Sequence, residues 1–147
     1  MELTPNGDEP PATPVGRLHH LEIWVMDYRR AKDSLGWLLE RLGYRLRDEW
    51  GAGPHGGSWR GAGEYIVLEA GPAVAGPHRR LDSGLNHLAF HAGTRAQLDE
   101  LVLAAGEHGW ELMFAEEHPF AGGAGHYAAY LHNSDGFEIE LVADSGP

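Results

Sequence analysis

A chain of 147 residues, 42% of them hydrophobic, is long enough to bury one substantial core and calls for no second domain. Its 11 basic residues against 22 acidic ones give a formal charge of −11, which repels nucleic-acid phosphates and anionic head groups, so neither nucleic acid nor membrane is an expected partner. Cysteine is absent, which excludes disulfides and thiolate ligation and leaves histidine and carboxylate side chains as the only strong metal ligands.

The first 16 residues, MELTPNGDEPPATPVG, have neither a basic start nor an apolar run, and they carry Pro5, Pro10, Pro11 and Pro14. A disordered arm is expected over 1–16, with a single domain over 17–147. No apolar stretch approaches the roughly 20 residues of a membrane helix, so the expected location is the cytoplasm.

From Leu18 the run LHHLEIWV alternates, with Leu21, Ile23 and Val25 on one strand face and His20, Glu22 and Trp24 on the other. Asp27 follows as an N-cap, and Ala31, Leu35, Leu38, Leu39 and Leu42 form a helical stripe that ends at Gly43. Tyr44 to Trp50, Ser58 to Arg60 and Glu64 to Ala70 read as three strands separated by glycine-rich stretches. The same order returns. LNHLAFHA at 85–92 alternates, Thr94 caps a stripe of Leu98, Leu101, Val102 and Ala105, and His108-Gly109-Trp110 repeats Leu42-Gly43-Tyr44. Trp110 to Glu116, His126 to Leu131 and Phe137 to Val142 complete the second set, the last two joined by a tight turn at Asn133 to Gly136. The expectation is an α+β fold of two βαβββ modules, at 17–71 and 83–143 with a linker at 72–82, forming a curved mixed sheet around a central metal site.

Within this repeat, His20 and His87 sit on the first strands and Glu69 and Glu140 on the last, all on faces opposite the apolar residues. Two imidazoles and two carboxylates suit Ni, Co, Zn, Fe or Mn and leave room for a chelating small-molecule substrate. Any one such residue by itself reads as structural or solvated; the paired placement favours ligation. His19 has the parity of Leu21 and is read as structural, whereas Glu22, Glu138 and His91 share the candidate face. Trp24, Trp59, Tyr65, Tyr127 and Tyr130, with His91, are candidates for the pocket wall, with core packing as the plainer alternative for the aromatics. The loop Ala121 to Gly125 reads as a mobile lid or as a plain glycine-rich hairpin.

On these residues the chain resembles the vicinal oxygen chelate superfamily, which includes glyoxalase I, bleomycin-binding proteins, fosfomycin resistance enzymes, epimerases and extradiol dioxygenases. HLEIWVMD around His20, NHLAFHA around His87 and NSDGFEIEL ending near Glu140 carry the resemblance, which spans residues 17 to about 143. It implies metal ligands His20, Glu69, His87 and Glu140, a homodimer, and a glyoxalase-type lyase or isomerase in which Glu140 or Glu69 moves a proton. The resemblance also admits an iron dioxygenase or a metal-free drug-binding resistance protein. It leaves open whether the site lies within one chain or across two.

Overall fold

A computed structural model of the chain describes residues 11–146. The arm expected at 1–16 lies outside the described residues as far as position 10, and 11–16 follow as exposed chain with neither helix nor strand. No helix among the described residues is long and apolar enough to cross a membrane.

The first module runs β1 (His20–Trp24), α1 (Tyr28–Ala31), a π-helical turn (Lys32–Gly36), α2 (Trp37–Arg41), β2 (Arg45–Trp50), β3 (Gly56–Arg60) and β4 (Tyr65–Glu69). The second repeats it as β5 (Leu88–His91), α3 (Arg95–Ala105), a 3₁₀ turn (Gly106–His108), β6 (Trp110–Met113), β7 (Ala128–Asn133) and β8 (Glu138–Val142). Each module makes its own four-stranded mixed sheet, in the orders β1-β4-β3-β2 (sheet A) and β5-β8-β7-β6 (sheet B). In both, the first strand runs parallel to the last and every other pair is antiparallel. The helical crossover from the first strand to the second, followed by two antiparallel returns, gives the order seen in each half.

Local chemistry sets the boundaries. Asp27 caps α1 by accepting from the Arg30 backbone N–H at 2.9 Å. Thr94 and Gln97 form a reciprocal capping box on α3. Gly43 (φ 97°) and Gly109 (φ 86°) take the left-handed conformation at matching chain reversals, where a Cβ would be strained.

One core holds both modules. Ile23, Trp59, Ile66 and Leu68 from sheet A and Trp110, Ala129, Leu131, Ile139 and Leu141 from sheet B join Leu35, Leu38, Leu39, Leu98 and Leu101 of the helices in a single buried cluster. Each large side chain so buried is worth about 1.5–3 kcal/mol. The halves also interlock through polar contacts. The Trp110 indole N–H donates to the Ser34 carbonyl at 3.1 Å, and the Asn133 amide donates to the Ser34 hydroxyl at 3.4 Å. Arg30 donates from Nη2 and Nε to buried Asp135 at 2.5 and 3.0 Å.

Two sequence expectations change here. The helix after Asp27 is continuous, but its middle is a π turn, in which the Trp37 N–H reaches back to the Lys32 carbonyl. Trp59, a candidate for the pocket wall, is fully buried on the core side of β3 and packs against Tyr28. Its parity is that of Ile66, its partner across the ladder.

Candidate functional site

Alternation gives each sheet one core face and one outer face. On sheet A the outer face has three rungs. His20, Tyr65, Arg60 and Arg45 form the first; Glu22, Val67, Ser58 and Asp48 the second; Trp24, Glu69, Gly56 and Trp50 the third. His20 and Glu69 therefore stand four residues apart along the ladder, about 13 Å at the usual strand rise. They do not share a position. His20 stacks on Tyr65 with ring centroids 4.8 Å apart and has its Nδ1 2.9 Å from that of His19. Glu69 instead accepts from the Trp50 indole at 3.4 Å and lies 3.7 Å from His55 Nδ1. Trp24 is half exposed beside it.

Sheet B is arranged differently. Glu138 and Glu140 lie on one face of β8, both buried, with Tyr130 and His132 opposite on β7 and His87 just before β5. His87 places Nδ1 2.8 Å from the Asn86 side-chain oxygen and 3.3 Å from Glu138, and Nε2 3.8 Å from Glu140. His126 Nε2 lies 3.4 Å from the other Glu140 oxygen. Arg80, from the linker, reaches Glu138 at 3.6 Å. Burial first, and then the hydrogen bond to Glu140, push the Tyr130 hydroxyl up to about 12, so it stays protonated as a donor to that carboxylate. The glycine-rich loop closes over this group: a Cβ on Gly122 would stand 2.6 Å from both the Tyr130 hydroxyl and the His126 ring.

The orientation of His87 bears on ligation. Nδ1 has two oxygens around it, which fixes the ring so that Nε2 is directed to the Glu140 side. Two buried carboxylates share this face with one guanidinium, and Glu140 has imidazole nitrogens on both sides.

The structure thus brings together His87, Glu138, Glu140 and Tyr130 of the residues singled out in the sequence. His20, Glu69 and Trp24 lie on the other sheet. His91 is exposed on the outer face of β5, four residues past His87. Tyr127 is corrected: its hydroxyl donates to Asp99 at 2.7 Å and Arg95 lies 4.7 Å from its ring, so it packs on α3 rather than on the outer face. Among the described residues, no three His, Asp or Glu side chains gather in an arrangement that holds a metal ion. His126 and Arg80 join the cluster as additions. The first had a signal in its place after the glycine loop, while Arg80 sits in a linker without periodicity.

Comparison with known proteins agrees with this architecture. The sequence model of the glyoxalase/bleomycin resistance protein/dioxygenase superfamily matches residues 19–130. An uncharacterized protein of Bacillus subtilis, YqjT, is 36% identical over 130 residues, covering 87% of this chain and 99% of that one. A putative glyoxalase of Bacillus halodurans superposes with a TM-score of 0.81 at 35% identity, over 88% of this chain and 97% of that one. A fosfomycin resistance protein of Listeria monocytogenes, solved with manganese(II) and a dihydroxypropylphosphonic acid, has a TM-score of 0.62 at 18% identity, over 88% of this chain and 93% of that one.

Proposed function

Because the chain belongs to the glyoxalase/bleomycin resistance protein/dioxygenase superfamily, we propose that it is a divalent-metal-dependent enzyme of glyoxalase type, a lyase or isomerase that chelates two adjacent oxygens of a small substrate and moves a proton beside them. The observation that carries this reading is buried Glu140, flanked by His87 and His126 and capped by Tyr130. The manganese bound by the Listeria protein of the same fold supports a divalent ion here, from the set Ni, Co, Zn, Fe or Mn.

His87 and Glu140 would hold the ion from one chain. Sheet A and sheet B turn their outer faces away from the shared core, and β1 and β5 each end a sheet. A second copy that sets its β1 beside this β5 supplies His20 as the third protein ligand, so the reading includes a homodimer. Glu69 is not a ligand in it. Glu140 lies two residues, one rung, past the position beside His87; the counterpart one rung past Tyr65, which faces His20, is Val67.

When bound, the ion supplies Lewis-acid polarisation of substrate oxygens. The chain's own groups do the rest. Tyr130 fixes Glu140 by donating to it. Glu138, paired with Arg80, anchors His87 through Nδ1. His126 gives or takes a proton at Nε2, 3.4 Å from Glu140, and the Gly122 loop excludes water above.

A metal-dependent dioxygenase is the second reading, favoured by one observation: Val67 leaves three protein ligands instead of four, and hence more open coordination. Elemental analysis of protein purified without chelators tests both. Near-stoichiometric nickel, cobalt, zinc or manganese supports proton-transfer chemistry, iron with oxygen consumption moves the dioxygenase forward, and no metal even after reconstitution overturns both.

A further inference from the structure

The outer face of sheet A holds a concave site with chemistry of its own. A cavity of about 400 Å³ is lined by Arg47, Asp48, Trp50, Ser58, Arg60, Tyr65 and Val67. Its floor is apolar, since Val67 is buried although it lies on the outer face. Its walls are aromatic. Arg60 lies 5.8 Å from the Tyr65 ring, the same ring on which His20 stacks. A register shift between Leu46 and Asp48 puts an extra residue, Arg47, on this strand, and Arg45 pairs with Arg60 on the same rung.

In a chain of formal charge −11, three guanidiniums close together, Arg45 and Arg60 paired on one rung and Arg47 at the register shift beside them, run against the overall field. None of Arg45, Arg47 and Arg60 has a carboxylate within salt-bridge distance among the described residues, although Asp48 on the same wall offsets part of their charge. Of the other basic residues, Arg30, Lys32, Arg79 and Arg80 are each paired with a carboxylate, while Arg17, Arg29, Arg41 and Arg95 make no such pair among the described residues and stand apart from this cavity. Guanidiniums left uncommitted beside a flat apolar wall form a receptor for an anion that carries an apolar body, because the planar fork matches two oxygens while the rings cover the remainder.

We propose that Arg47 and Arg60, with Tyr65 and Trp50, bind the carboxylate or phosphonate group of a small organic anion. The site rests on the enzyme reading only in taking that anion as part of the substrate, since Tyr65 joins it to His20. Binding itself requires no metal.

The test is isothermal titration of the full, chelator-treated chain with phenylphosphonate and with benzoate, and with benzyl alcohol as the uncharged control. The two anions bind saturably and the alcohol does not. Arg60→Gln and Arg47→Gln each weaken anion binding by about tenfold or more, the usual loss for a charge-assisted contact. Both side chains are exposed, so the fold is kept, and circular dichroism checks this. Arg60→Lys retains part of the affinity, and Arg29→Gln, on α1, retains all of it. No saturable heat with either anion, or equal affinity in the Arg47 and Arg60 variants, overturns the proposal. Metal counts on the untreated protein are independent of this result, so a failure of the metal reading is told apart from a failure of the anion site.

Discussion

Glu140 is a carboxylate placed where water reaches it poorly and where two imidazoles, a phenol and a second carboxylate are its company. Glu140→Gln is therefore expected to abolish metal uptake, measured by elemental analysis, with the fold intact, whereas Glu69→Gln leaves occupancy unchanged. Equal loss in both would restore Glu69 as a ligand. Tyr130 makes a second prediction. Its pKa in the folded chain, about 12, lies above the ordinary value of 10.0, so its contribution to stability is complete below pH 10 and fades as pH climbs toward 12. Tyr130→Phe should flatten the alkaline fall in Tm over that window; an unchanged profile would mean that the hydroxyl is not held as described. The sequence made His87 and Glu140 legible because both obey strand alternation in adjacent strands. It did not make the displacement of Glu69 legible, because a shift of register between β1 and β4 is absorbed by loops and leaves every residue on the same face. Only the ladder, in which Trp24 faces Glu69 and His20 faces Tyr65, reveals it.

Among the elements, the strand, helix and three-strand order could be read twice from the chain, since apolar period, cap and glycine stop agree at each boundary. The π turn could not, because Ala31, Leu35, Leu38 and Leu39 fit an α-helical stripe with or without one extra residue. Nor could the side taken by Trp59: a five-residue strand bordered by glycines has too few alternations to fix parity. Both meet at Gly36, where a Cβ would stand 2.8 Å from the Trp59 ring. Gly36→Ala gains about 1 kcal/mol of helix propensity but costs about 1–3 kcal/mol by overpacking a side chain with no room to move. Net destabilisation is expected in urea unfolding, and a gain in stability would show that Trp59 can yield. At the other end of the molecule, Gly122→Ala pushes the loop off Tyr130 and His126. Weaker metal retention at nearly constant Tm is the expected outcome, and unchanged retention would make the loop a bystander.

At the scale of the whole molecule, the outer faces are directed away from a common core, so that in the proposed homodimer each chain would supply halves of two different sites. Mixing His20→Ala with His87→Ala chains after co-refolding should recover about a quarter of the wild-type metal sites, because each mixed dimer regains one intact site of two. No recovery, or a monomer by light scattering, would return the site to a single chain. One of the contacts that fix the halves at their mutual angle is local. The π turn aligns the Ser34 carbonyl with the Trp110 indole while keeping Leu38 and Leu39 in the core. One residue in a helix is about 100° of rotation. The turn thus acts as a phase setting between two gears: deleting a single residue from Lys32–Gly36 would leave each module with its own helix and sheet, yet rotate α2 relative to α1 by more than a quarter turn, so that the apolar stripe and the Arg30 clamp on Asp135 could no longer engage together.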